Sequence, residues 1–122
     1  MNTETVTSLF LLFSGEESAQ EYEPVIALAI RLTSEMLLPE ADTTDVRIDF
    51  LAAAMANYHV QQLKCARDRT TVTFAGKMLT EHDSSALRSA GRLLKDYMQL
   101  CEDIIKPRGF IFAGFSDNEE EI

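Results

Sequence analysis

The stretch from Asp42 to Arg69 constrains the fold most. Asp42, Thr43 and Thr44 offer side-chain oxygens that can cap a helix, and Phe50, Leu51, Ala54, Met55, Tyr58, Gln62, Leu63 and Ala66 then recur with a period near 3.6. One long helix is predicted. Its middle, Leu51-Ala-Ala-Ala-Met-Ala56, carries small side chains on several sides, which lets other helices approach closely from more than one direction. Such a helix belongs at the centre of a helical bundle. A chain of 122 residues has room for one such core and not for two.

The flanking segments supply its neighbours. Thr3 to Phe13 holds a compact apolar cluster closed by Ser14-Gly15 and followed by the acidic stretch Glu16 to Glu23, which predicts a short helix and a connection. A second helix is expected to start near Pro24, with Val25, Leu28, Ala29, Leu32 and Met36 at helical spacing, and to stop at Leu38-Pro39. After the long helix, Thr70-Thr-Val-Thr-Phe-Ala-Gly76 alternates β-branched and aromatic residues, so a short strand is predicted there, with Lys77 to Thr80 continuing as an arm or hairpin. Asp83, Ser84 and Ser85 are candidate caps for a last helix, whose Leu87, Gly91, Leu94, Met98, Cys101 and Ile105 form a narrow packing seam. Pro107 and Gly109 end it.

The expected fold is therefore mainly α, a small bundle of about four helices with a short β strand or hairpin between the last two long helices. Residues 1–115 form the single helical domain and 116–122 an acidic tail. Phe110-Ile-Phe-Ala-Gly-Phe115 is apolar and must be covered, either by its own helices or by another subunit.

Charge narrows the choice of partners. Twenty acidic residues against eleven basic ones give a formal charge of −9, which makes sequence-independent binding to nucleic acid or to an anionic membrane unfavourable. Residues 1–61 carry ten of the acids and only Arg31 and Arg47 as bases, while Lys64 to Arg108 holds nine bases and six acids. That split suits head-to-tail contact between copies, and equally suits solvated helix faces. Cys65 and Cys101 have no CxxC partner and no histidine at zinc spacing, so buried free thiols are expected. The start of the chain lacks a basic region before Leu9 to Phe13, and no apolar run approaches 18 residues, so neither export nor membrane spanning is expected.

Catalytic constellations are sparse. His59 falls on the long helix, where a surface or satisfied core role is expected rather than that of a base, and His82 in the turn before the last helix, between Glu81 and Asp83, where a solvated histidine is the default. Glu16-Glu17 and the Glu21, Glu23 pair are accounted for by solvation and by the dipole of the following helix. The five glycines are scattered and match neither a P-loop nor a dinucleotide fingerprint. Lys64, Arg67 and Arg69 cluster where positive charge complements a helix C-terminus. No catalytic residue, metal ligand, cofactor or small-molecule substrate is expected.

A helix ending in Leu-Pro precedes a long helix containing Arg47-Ile-Asp-Phe-Leu-Ala-Ala-Ala-Met-Ala-Asn-Tyr58. Thr71-Val-Thr-Phe-Ala-Gly76, a capped final helix and Gly109-Phe-Ile-Phe112 follow. This order, over about residues 20–115, resembles the small head-tail connector, or neck adaptor, proteins of tailed bacteriophages and prophages in Gram-positive bacteria. The strongly acidic first half and the apolar opening helix depart from that pattern. The resemblance implies a non-enzymatic virion assembly protein, made in the bacterial host cytoplasm and located in the virion neck. It would self-associate into a ring and dock portal to tail. The runner-up is a small acidic helical bacterial regulatory or inhibitory protein that occupies a basic partner surface. Contact residues expected for protein interaction are Val72 and Phe74, Arg88 and Arg92 on the last helix, and Phe110, Phe112 and Phe115. In the ring, the acidic half would meet the basic stretch of a neighbour, and charge reversal at Arg88 and Arg92 would weaken assembly without unfolding the subunit.

Overall fold

The computed structural model describes the backbone of residues 1–75 and 77–107, with side chains for 1–67 and 85–107. Helix α1 spans Thr3–Ser14. The Asn2 side chain opens it by accepting from the Glu4 and Thr5 amides at 2.8 and 3.2 Å, and Gly15 closes it at φ 75°, where its N–H donates to the Leu11 carbonyl. That left-handed conformation strains any residue with a Cβ, so the glycine sets where the helix ends. An acidic connection and a single 3-10 turn, Gln20–Tyr22, lead into α2, Glu23–Met36, which carries Pro24 in its first turn.

Helix α3 spans Val46–Ala75 and α4 spans Lys77–Leu100. At 1.5 Å per residue α3 is roughly 45 Å long. Its N-cap is Asp45, whose carboxylate accepts from the Arg47 amide at 3.0 Å. Asp42, three residues earlier, instead closes a local turn by accepting from the Thr44 amide and hydroxyl. The segments that follow α2 and α4 meet as an isolated antiparallel bridge between Leu37 and Ile105. There the Leu38 amide donates to the Ile104 carbonyl and the Lys106 amide to the Met36 carbonyl, each at 2.9 Å.

The core surrounds α3. Leu51, Ala52, Ala53, Ala54 and Ala56 are completely buried, as the small-residue block requires, and α1, α2 and α4 all pack on this helix. Val6 and Phe10 enter from α1, Ile26, Ala29 and Met36 from α2, and Leu94 and Met98 from α4. Burying an aliphatic side chain of this size contributes about 1.5–3 kcal/mol. Of the seam read from the sequence, Gly91, Leu94 and Met98 are buried on α4 while Leu87 is partly exposed, and Cys101 and Ile105 continue the buried stripe beyond its end. Gly91 lies under Tyr58, and a Cβ built there would sit 3.3 Å from the Tyr58 ring. Toward the end of α3 the pattern loosens: Leu63 is half exposed and Gln62 and Ala66 are exposed.

Two expectations change. No strand occurs among the described residues; residues 70–75, where a strand was expected, complete α3, and 77–80 begin α4. The helix expected to start at Asp83-Ser84-Ser85 is therefore already under way at Lys77. Threonine and valine cost a helix only up to about 0.7 kcal/mol per residue. A lone strand, by contrast, leaves a row of amides and carbonyls without partners that a helix satisfies internally. Strand preference depends on having neighbours, and among the described residues none pairs with 70–75.

Candidate protein-interaction surface

Three helices each contribute one half-buried ring to a single surface cluster: Phe13 from α1, Phe50 from α3 and Tyr97 from α4. Ring centroids are 5.8 Å apart for Phe13 and Tyr97, 5.5 Å for Phe50 and Tyr97, and 6.3 Å for Phe13 and Phe50. These distances fall in the range where aromatic pairs attract beyond their buried area. The helix period extends the apolar face. Val46 lies one turn before Phe50 and Leu100 one turn after Tyr97, and they are 56% and 52% exposed. Aromatic residues such as Phe and Tyr are enriched at the centres of protein interfaces.

A charged clamp borders this face. The Arg47 guanidinium forks onto Asp45, with Nη2 2.8 Å from Oδ2, and reaches Asp103 with Nη1 3.0 Å from Oδ1. The same Nη1 donates to the Leu100 carbonyl at 2.8 Å. The start of α3 is thereby tied to the end of α4, and the guanidinium satisfies a carbonyl that the helix terminus leaves open. Arg47 holds both aspartates below the usual carboxylate range, and they in turn push its own pKa up. Beneath the clamp Cys101 Sγ donates to the Arg47 carbonyl at 3.6 Å, and burial raises the thiol to about 11. Cys65 and Cys101 are both buried free thiols.

At the other end of the bundle, acid and base meet inside one chain. Lys64 Nζ lies 2.9 Å from Glu16 Oε2, the Tyr22 hydroxyl donates to Glu16 Oε1 at 2.9 Å, and Arg67 lies 3.7 Å from Glu21. Hydrogen bonds from Lys64 and Tyr22 hold Glu16 below its ordinary range, while burial and the bond to Glu16 raise the Tyr22 pKa. The acidic connection is thus pinned to α3. Part of the charge split is consumed within the fold.

Of the sequence-derived contact residues, Arg88 and Arg92 alone have described side chains. Arg88 and Arg92 are exposed, one turn apart on α4, and form no ion pair among the described residues. Val72 and Phe74 fall in the last turns of α3, where the description covers backbone alone, and Phe110, Phe112 and Phe115 lie outside the described residues. The aromatic cluster was missed for a plain reason. Each ring is unremarkable on its own helix, and only packing shows that the three adjoin.

Among the described residues no three His, Cys, Asp or Glu side chains converge on a possible metal position, and no helix is long and apolar enough to cross a membrane. His59 is on the α3 surface with Nδ1 3.3 Å from Gln62 Oε1. The backbone of His82 belongs to α4 rather than to a turn. An open depression of about 580 Å³ beside the acidic connection is lined by Gly15, Glu16, Glu17, Ser18, Gln20 and Glu21, with no nucleophile–base pair. No protein-family model, no curated protein and no solved structure matches the chain.

Proposed function

We propose that this chain is a non-enzymatic virion assembly protein, a head-tail connector subunit that self-associates into a ring and docks portal to tail in the virion neck. The observation that carries the reading is the Phe13, Phe50 and Tyr97 cluster, a half-buried aromatic face built by three helices and bordered by the exposed Val46 and Leu100. The resemblance over about residues 20–115 supports assembly of copies into a ring, and Phe50 and Tyr97 lie within that stretch. A ring closes through a heterologous interface, which needs two different patches on each copy. The aromatic face is one. The exposed bases Arg88 and Arg92 on α4 belong to another, which meets the acidic first half of a neighbour, since Lys64 and Arg67 are already engaged with Glu16 and Glu21. In this reading the strand or hairpin expected over Thr70 to Thr80 forms only where a neighbouring subunit or the portal supplies an edge to pair with.

Charge reversal tests it. Arg88→Glu with Arg92→Glu is expected to lower the assembled fraction in sedimentation velocity while the helical circular dichroism and melting temperature stay unchanged. Unchanged assembly would remove the basic face from the account. The alternative, an acidic inhibitor of a basic partner, draws less support because Glu16 and Glu21 are paired within the chain.

A further inference from the structure

Two oppositely charged surfaces lie at one level of the bundle. The acidic connection between α1 and α2 is anchored to α3 at Lys64 and Arg67, which hold Glu16 and Glu21. Helix α4 runs antiparallel to α3, with Leu100 beside Arg47 and Gly91 against Tyr58. Continuing that register one turn sets Arg88 level with Gln61, roughly 5 Å along α3 from Lys64. The two surfaces are also on opposite sides of α3. Tyr58 marks the side that α4 covers, and Arg67, about two and a half helical turns further on, points the other way.

Each surface keeps charge to spare. Arg88 and Arg92 are exposed on α4, away from its buried Leu94 and Met98, and make no ion pair among the described residues. On the connection, Glu17 and Glu23 are exposed and likewise make no ion pair among the described residues. The open depression of about 580 Å³ between Glu16, Glu17 and Glu21 has room for an arginine head group.

We propose, resting on the ring reading above, that Arg88 and Arg92 of one copy dock on the acidic connection of the next, at Glu17 and Glu23. The occupant of each surface is a second copy of this chain, because the two are complementary in charge, equal in level and opposite in direction. Repeated contact of that kind steps sideways and not along α3. The copies therefore close about an axis parallel to α3 and do not climb into a filament. Opposite charge fixes which surfaces meet, and like surfaces repel. Phe50 lies about 21 Å from Lys64 along α3, so the aromatic face is a separate point of attachment.

Exchanging charge between copies tests the contact. Arg88→Glu with Arg92→Glu makes both surfaces acidic, and Glu17→Lys with Glu23→Lys makes both basic. Each double variant alone is expected to self-associate at least about tenfold more weakly than the unsubstituted chain in sedimentation velocity. An equimolar mixture of the two should recover assembly, because every acidic surface then meets a basic one, and mass photometry should show closed particles with an even number of copies. Should circular dichroism show that Glu23→Lys disturbs the start of α2, Glu17→Lys alone takes its place in the mixture. A mixture as weak as either variant, while the unsubstituted chain assembles, overturns the contact and leaves the ring to other surfaces. Recovery as open filaments overturns the closure about α3. An unsubstituted chain that is monomeric at every concentration overturns the ring reading and this contact together.

Discussion

Arg47 donates to the Leu100 carbonyl at 2.8 Å, joining the first turn of α3 to the last turn of α4 across 53 residues of sequence. Three acceptors share this one guanidinium, because Asp45 and Asp103 flank it on either side. The clamp sits next to Val46 and Leu100, so it also fixes the edge of the aromatic face. Arg47→Met keeps most of the stem packing and removes all of these bonds. A melting temperature lower by a few degrees is expected, with the loss concentrated in hydrogen-exchange protection at 46–50 and 97–101. Unchanged protection there would mean the helix ends are held by packing alone.

Acid should weaken the fold through the same groups. Arg47 lowers the pKa of Asp45 and Asp103, and Lys64 with Tyr22 lowers that of Glu16. A carboxylate whose folded pKa is depressed binds its proton more readily when unfolded. Its contribution is complete above the unfolded pKa and is lost as pH falls through the folded one. The melting temperature is therefore expected to drop as pH falls from roughly 4.5 toward 2. Arg47→Met should flatten that fall. An equally steep fall in the variant would place the titrating groups elsewhere.

Gly91 is required by the approach of α4 to Tyr58, whose ring would lie 3.3 Å from an added Cβ. Gly91→Ala sets a helix-propensity gain of about 1 kcal/mol against a small displacement of that ring, and the net change is expected to stay within about 1 kcal/mol. Gly91→Leu has no such relief and should cost about 1–3 kcal/mol in denaturant unfolding. If both substitutions are neutral, the two helices are not in close contact at this point.

Leu51 and Leu12 mark the contrast between core and surface. Leu51 is fully buried at the centre of α3, and Leu12 is 73% exposed on α1. Leu51→Ala is expected to destabilise by about 2–5 kcal/mol and Leu12→Ala by under about 0.5 kcal/mol. Denaturant midpoints at constant slope give both values.

Cys101 should behave as a buried thiol. Burial lifts it to about 11, so at pH 8 it is protonated and shielded by the helix ends above it. A disulfide-exchange reagent is expected to find neither cysteine in the folded chain and both after denaturation. Rapid labelling of the native protein at Cys101 would show that the α3–α4 junction opens readily.

What could be read in the sequence was whatever a single helix reports about itself. Ser14-Gly15 marks the end of α1 because glycine alone takes that backbone turn without strain, and the Leu94, Met98, Cys101 spacing marks a buried stripe on whichever helix carries it. The cap of α3 was placed too early because Asp42 and Asp45 are chemically alike, and only the folded chain shows which one meets the Arg47 amide. Threonine-rich 70–75 looks like strand because β-branching is a local signal, whereas the backbone described there is helical and a pairing edge is a tertiary matter. The aromatic face was invisible for the same reason: Phe13, Phe50 and Tyr97 adjoin only after α1, α3 and α4 have packed.

The central claim is that this subunit assembles into a ring and docks, and the most direct measurement is the particle formed when the full chain is co-expressed with the proteins encoded on either side of its gene. Mass photometry and negative-stain microscopy are expected to show a closed ring of copies seated coaxially on a larger ring, with Phe50→Lys releasing folded monomers. A chain that stays monomeric beside both neighbours, with Phe50→Lys making no difference, would contradict it.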